Sequence, residues 1–270
     1  MPGEELEGVV GALEFLRNVN AGAEMRIGER VAVIGGGNSA VDAARVVLRM
    51  GASEVTVIYR RRRAEMPAVE SEVEEAEREG VKFMFLTVPK RFIGDERIRA
   101  IECVKMKLGE YDESGRRRAI PLEGSEFQMP IDQVIVAVGQ VARLPFIDGK
   151  LEVDPLTLAT QFEGIFAGGD VVTGPATVIE AMAGGLHAAE SIDRYLRGVD
   201  LKEGRFVPPP LPTEEVLYEI EPSEAPRYEI PTLPLEQRRR TFEEIERPYD
   251  AETAMEEGKR CLRCDLERGK

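Results

Sequence analysis

The stretch from Val31 to Arg63, VAVIGGGNSAVDAARVVLRMGASEVTVIYRRRR, constrains the fold of this chain more than any other. It opens inside RVAVIG, a β-branched run without polar alternation, which suits a parallel strand covered on both faces. Glycines follow at once, then an amphipathic stretch ending at Gly51, then a second run of the same kind, EVTVIY. PAVESEVEEAEREG continues as a helix with a glycine stop, and VKFMFLTV as a further strand. Strand, helix, strand, helix, strand predicts an α/β architecture, a Rossmann-type doubly wound parallel sheet.

On either side of this core the pattern changes. GVVGALEFLRNVNAG puts Val10, Leu13, Leu16 and Val19 at helical spacing and closes on Gly22, so residues 1–27 read as a connecting segment with one short helix. From Arg91 to Pro130, RIRAIECVKMKL and RRRAIPL alternate around the polar GEYDESG, which predicts an antiparallel excursion with a structural role. QVIVAVG, Gln133 to Gly139, restores a buried parallel strand and completes a first domain over 28–140. GIFAGGD, Gly164 to Asp170, predicts one more strand, and ATVIEAMAGGLHAAESIDRYLRG a helix reaching Gly198, in a second piece over 141–198. Beyond it, FVPPPLPTEEVLYEIEPSEAPRYEIPTLP carries too much proline for regular structure. Residues 199–270 therefore read as an extended tail, with a final charged helix carrying RCLRCD. No internal repeat is present.

At 270 residues and 43% hydrophobic content the chain can bury real cores. Fifty acidic against 36 basic residues leave a net charge of −14, which argues against nucleic acid or an anionic membrane as the main partner. No apolar segment approaches the roughly 20 residues of a membrane span. MPGEELEG lacks the basic start and apolar body of a signal peptide. The expectation is a soluble, cytoplasmic protein without membrane insertion. Three cysteines, Cys103, Cys261 and Cys264, are too few for a disulfide scaffold and fit a reducing compartment.

Chemistry concentrates at the first strand-to-helix junction. Gly35-x-Gly37-x-x-Ala40 follows a strand and opens a helix, the context that gives such a pattern its force. The first glycine permits a tight turn, the second lets backbone approach a pyrophosphate, and the small third residue lets helix and strand pack closely. Free N–H groups at the helix start face the anion and add their dipole. An ordinary strand-turn-helix corner is the competing explanation. The second strand then ends Tyr59-Arg60-Arg61-Arg62-Arg63, where an NAD site would present an acidic residue to the adenosine ribose. A 2′-phosphate needs cations there, and a guanidinium grips phosphate with two parallel hydrogen bonds. NADP(H) is therefore expected over NAD(H), with Arg60 and Arg61 the favoured pair and a solvated charge run the explanation for the others.

VAVIGGGNSAVDAARVVLRMGASEVTVIYRRRRAEMPA, GRRRAIPLEGSEF, VIVAVGQ and GIFAGGDVVTGPATVIEAMAGGLHAAESI resemble, in order, the glutamate synthase small (beta) subunit family. Related NADPH-dependent flavoproteins, including the N-terminal part of dihydropyrimidine dehydrogenase, share the likeness, which covers about residues 1–198. It implies NADP(H) and FAD as cofactors, with hydride passing from NADPH to FAD and electrons leaving through iron-sulfur clusters. Gly35, Gly36, Gly37, Asn38, Ser39 and Ala40 would then line the NADPH pyrophosphate, and Arg60 and Arg61 the 2′-phosphate. Gly139 would let the chain pass close to bound nucleotide. Gly169 would allow close approach to FAD, and the Asp170 carboxylate would accept a hydrogen bond from its ribityl chain. Ala176, Thr177 and Val178 would aim backbone N–H groups and a positive helix end at the flavin pyrimidine edge. The residues alone also allow GGD as a mere turn and Asp170 as a helix cap.

Complete members of that family begin with a strand-glycine-helix unit for the FAD pyrophosphate, often preceded by a cysteine-rich cluster domain. Here MPGEELEGVVGALEFL resembles the passage from FAD domain to NADPH domain, so the chain is expected to be the C-terminal part of such a flavoprotein. The GIFAGGD strand would then lack parallel neighbours, and FAD would be held weakly until a partner chain supplied the missing FAD half and the iron-sulfur clusters. A larger reductase or synthase subunit could complete the assembly. Cys261 and Cys264 have C-x-x-C spacing, open to a share in a partner's cluster, to structural thiols or to a labile disulfide. Cys103 reads as packed and His187 as non-catalytic. No nucleophile-base set emerges, as expected where cofactors carry the chemistry. The reading is an oxidoreductase subunit; its alternative is a non-catalytic nucleotide-sensing or scaffold subunit of a redox complex. A thioredoxin-reductase-like enzyme is disfavoured, because the C-x-x-C pair lies beyond the proline-rich stretch and not inside the nucleotide domain.

Overall fold

Five parallel strands in the order β1-β9-β2-β3-β4 form the main sheet of the computed structural model, which describes residues 1–111, 115–139, 144–147, 151–205 and 226–261. They are β1 (Val9–Gly11), β2 (Arg30–Ile34), β3 (Glu54–Ile58), β4 (Lys82–Met84) and β9 (Gln133–Val136). Between them run α1 (Ala12–Asn20), α2 (Asn38–Arg49) and α3 (Glu70–Glu79). The apolar side of α2, Ala40, Val41, Ala43, Ala44, Val47 and Leu48, is buried against Val31, Val33, Val55 and Val57 of the sheet. Helix α3 stops where Gly80 adopts a φ of 106°, a conformation only glycine enters cheaply.

The β-branched strands need a second cover, and the antiparallel excursion supplies it. Strands β5 (Thr87–Gly94), β6 (Ile98–Tyr111), β7 (Arg117–Pro121) and β8 (Phe127–Pro130) form their own sheet, with β5, β7 and β8 all pairing antiparallel to β6. Phe92, Ile98, Ile101 and Cys103 pack there with Ala32, Ile34, Ile58 and Val134 of the parallel sheet. One face of the parallel sheet thus carries helices and the other carries strands. The run VKFMFLTV divides between the two sheets, because Leu86 takes a φ of 49° between β4 and β5.

Two further differences from expectation have local causes. Residues 1–27 are more than a connector: Val9–Gly11 pairs parallel with β9 and widens the sheet. Because Val10 belongs to that strand, α1 begins at Ala12 and buries Ala12 and Phe15, while Leu13 is exposed. Leu16 and Val19 still pack against the core.

The chain divides into two units, Met1–Val138 with Ser223–Lys270, and Gly139–Pro222. In the second, GIFAGGD does not form the expected strand. Phe166 makes one antiparallel bridge with Ala159, and the backbone turns at Gly169, φ 72°, into the short helix α4 (Asp170–Thr173). No parallel neighbour is available to GIFAGGD among the described residues of that unit. Helix α5 (Val178–Leu196) follows; Ile179, Met182 and Leu186 are exposed at 79%, 64% and 72%.

The described tail residues 226–261 belong to the first unit. It carries α6 (Leu235–Arg238) and α7 (Ala251–Gly258), and an antiparallel bridge joins Thr232 to Glu246. Arg238 pairs with Glu75 of α3, and its carbonyl accepts a hydrogen bond from Arg49 Nε at 3.2 Å. Helix α7 ends at Gly258, before Arg260 and Cys261, and the rest of RCLRCD, 262–265, lies outside the described residues.

Candidate functional site

The glycine turn is built by contacts that explain two of its glycines directly. Gly35 donates its N–H to the Ile58 carbonyl at 3.1 Å with a φ of 148°, and a Cβ there would stand 2.3 Å from the Ala137 carbonyl oxygen. A Cβ on Gly36 would come within 2.5 Å of the Tyr59 ring. Gly37 differs: it is the N-cap of α2 in extended conformation, and its Cβ would meet only Pro67 Cγ at 4.0 Å. That open space lies at the start of a 12-residue helix whose first amides, on Asn38 and Ser39, precede any helical carbonyl they could reach. Asn38 and Ser39 are exposed and Ala40 is fully buried against the sheet. A cradle of free amides before a cleared glycine fits a diphosphate.

The arginine-bearing loop is fastened to this turn. Ala68 N–H donates to the Gly36 carbonyl at 3.1 Å, and Val69 N–H donates to Asn38 Oδ1 at 2.9 Å. Tyr59 packs its ring on Gly36 and donates its hydroxyl to the Glu65 carbonyl at 2.7 Å. On the other side Leu86 N–H donates to the Arg61 carbonyl and Thr87 N–H to the Tyr59 carbonyl, tying the loop to β5.

The four arginines divide into two kinds. Arg61 is 5% exposed and donates from Nε to the Arg117 carbonyl at 2.7 Å, so its side chain joins β3 to β7. Arg63 reaches α3, 2.7 Å from Glu70 and 2.6 Å from Glu77. Arg60 and Arg62 are exposed, and neither side chain forms an ion pair among the described residues. Arg62 thus stands out beside Arg60, whereas the sequence favoured Arg60 and Arg61, because four identical residues carry no pattern that marks which one is buried.

Behind the loop, α2 and α3 are clasped by charge. Arg45 donates from Nε and Nη2 to the two carboxylate oxygens of Glu79, at 3.0 and 2.7 Å, and pairs with Glu72 as well. Glu79 is 1% exposed. Nothing in the binary pattern marks it, since it sits in the acid-rich run VESEVEEAERE.

The second unit holds the other expected residues. Gly139 takes a φ of 96°. Gly168 and Gly169 pass so close to α5 that a Cβ on Gly184 would lie 2.9 Å from the Gly169 nitrogen. Gly169, not Asp170, is the N-cap of α4, and the exposed Asp170 carboxylate is left in the first turn. Ala176, Thr177 and Val178 stand exposed at the start of α5. The Thr177 N–H is engaged by Glu180 Oε2 at 2.8 Å, and Thr177 Oγ1 accepts from the Glu180 N–H at 3.2 Å, a reciprocal cap. This backbone and side-chain bonding from Thr177 holds the Glu180 carboxyl below its usual range. The exposed Asp170 and the glycine approach fit part of a flavin site; the Thr177 amide is already partnered.

Cys103 is fully buried, and burial pushes its thiol up to about 11. Cys261 is exposed, and Cys264 lies outside the described residues. His187 is exposed on α5, where its carbonyl accepts from Ser191 Oγ. No helix among the described residues is long and apolar enough to cross a membrane.

The pyridine nucleotide-disulphide oxidoreductase family profile matches residues 1–185. The NADP(+)-dependent formate dehydrogenase subunit beta of Moorella thermoacetica is 44% identical over 281 residues, covering 95% of this chain and 39% of its own length. The glutamate synthase (NADPH) small chain of Azospirillum brasilense is 36% identical over 219 residues, covering 73% of this chain and 45% of its own. This chain therefore spans less than half the length of either relative. Among solved structures, FprA from Mycobacterium tuberculosis, in a His57Gln mutant, superposes with a TM-score of 0.60 at 21% identity, over 73% of this chain and 61% of its own, a likeness of fold. The chain belongs to the pyridine nucleotide-disulphide oxidoreductase family, in the group that includes the glutamate synthase small chain.

Proposed function

We propose that this chain is the nucleotide-binding part of an NADPH-dependent, FAD-linked oxidoreductase, a cytoplasmic subunit that relays electrons to an iron-sulfur partner. The observation that carries the reading is the single piece formed by the glycine turn and the arginine loop, joined at Gly36–Ala68 and Asn38–Val69. Gly35, Gly36, Gly37 and the amides of Asn38 and Ser39 hold the pyrophosphate, Ala40 lets α2 pack close, and Arg60 meets the 2′-phosphate that NADH lacks. Arg61 serves the same site by fixing the strand end from which Arg60 projects. NADPH and FAD supply hydride chemistry when bound, and the chain's residues bind, orient and exclude water.

In the second unit, Gly169 and Asp170 take one side of FAD and the start of α5 at Ala176 to Val178 faces its flavin edge, although the Thr177 N–H is already held by Glu180, while Gly139 lets the chain pass close to nucleotide. A partner polypeptide carries the rest of the FAD site. The exposed Ile179, Met182 and Leu186 support that part of the reading, because an apolar stripe on one helix face calls for cover. Calorimetric titration of the full chain with NADPH and NADH tests the nucleotide assignment. Tighter binding of NADPH is expected; equal affinities would overturn it. Co-purification with cofactor analysis tests the partner, and one tightly bound FAD per isolated protomer would remove the need for it.

A further inference from the structure

We infer that Asn38 is a positioning residue for 2′-phosphate recognition: its side chain latches the arginine loop to the glycine turn and is not itself a phosphate ligand. The inference rests on the NADPH reading above. Asn38 opens α2, and its Oδ1 accepts the Val69 N–H from 31 residues along the chain. The chain leaves the turn region at Tyr59, whose ring lies on Gly36, and returns to it at Ala68 and Val69. Within the loop, Tyr59 Oη donates to the Glu65 carbonyl, and the Glu65 carboxylate accepts the Arg62 N–H at 3.0 Å. Of the two bonds that fasten the return, the one from Ala68 ends on backbone and the one from Val69 ends on a side chain.

That construction has a consequence for selectivity. A guanidinium discriminates a 2′-phosphate more strongly when its distance from the pyrophosphate is fixed before the coenzyme arrives, since ordering a loose loop on binding consumes part of the gain. Arg60 and Arg62 are borne by a loop whose far end is held through Asn38. Loss of the latch therefore removes discrimination more than it removes affinity for the shared pyrophosphate.

The test uses the full chain, NADPH, NADH and adenosine 2′,5′-bisphosphate, with amide hydrogen exchange at Val69 as a second readout. With Asn38→Ala, NADPH and the bisphosphate should bind about tenfold more weakly, the scale of one well-aligned hydrogen bond, while NADH changes less than about twofold. Exchange at Val69 should accelerate. Asn38→Asp keeps an acceptor and should restore both slow exchange and the NADPH-to-NADH ratio, even if its charge weakens both coenzymes. An equal loss for the two coenzymes, or unchanged exchange at Val69, would overturn the latch and make Asn38 a direct pyrophosphate contact or a bystander. A wild-type chain without NADPH preference would instead overturn the parent reading, visible before any variant is made.

Discussion

A methyl group on Gly35 would stand 2.3 Å from the carbonyl oxygen of Ala137, whereas one on Gly37 would meet nothing nearer than Pro67 Cγ at 4.0 Å. The first glycine is required by the fold and the second is spared by it. Gly35→Ala forces a side chain into a φ of 148° and into β9's following residue, so it should destabilise by more than about 2 kcal/mol. Gly37→Val sits in extended backbone that valine adopts freely, and should unfold at the wild-type urea concentration. Its NADPH affinity should nevertheless fall more than about tenfold, because the branched side chain fills the approach to the diphosphate. Wild-type binding by Gly37→Val would remove the diphosphate from this turn.

Adjacent arginines should separate in the same two measurements. Arg61 is buried with Nε on the Arg117 carbonyl, so Arg61→Ala leaves that acceptor unpaired and should cost about 1–3 kcal/mol of stability. Arg60 is exposed, and Arg60→Ala should leave stability within about 0.5 kcal/mol. Its effect should show as a lower NADPH-to-NADH affinity ratio with NADH binding intact. The assignment fails if Arg60→Ala leaves the ratio untouched and Arg61→Ala abolishes it without loss of stability.

What was legible in the sequence follows from where local chemistry decides structure. The junction at Gly35 was readable because a β-branched run, a glycine turn and a helix each have a local signal, and all three agree. Strand β1 was not, since three residues, Val9–Gly11, become a strand only through pairing with β9, more than a hundred residues away. The division of VKFMFLTV was hidden because the turn at Leu86 uses no glycine or proline. GIFAGGD shows the reverse: its composition suits a buried strand, yet strand structure requires neighbours, and the described residues of its unit provide one antiparallel bridge. At the site, the run of arginines announced a charge requirement, but which of them are exposed depends on Arg117, far along the chain, and on the acidic face of α3. The role of Asn38 was likewise invisible, because its motif position suggested a phosphate while its side chain is bonded to Val69.

Glu79 gives the clearest case of a residue with no sequence signal and a large expected effect. It ends α3 at 1% exposure, held through both oxygens by Arg45 from α2, with Arg49 Nη2 at 3.7 Å. Helix α2 begins at the glycine turn and α3 begins just past the arginine loop, so this clasp ties together the two helices that flank the glycine turn and the loop. Removing Glu79 takes away the bidentate partner of the largely buried Arg45 and leaves it Glu72 alone. Glu79→Ala should therefore lower stability by about 3 kcal/mol, the low end for a buried pair because Glu72 remains, read as a fall in urea midpoint at unchanged slope. Nearby Glu74, exposed on the same helix and 3.9 Å from Arg78, offers the control: Glu74→Ala should shift stability by less than about 1 kcal/mol. Equal midpoints for the two variants would mean that the Arg45–Glu79 clasp contributes no more than a surface pair, and that α2 and α3 are held by their apolar faces alone.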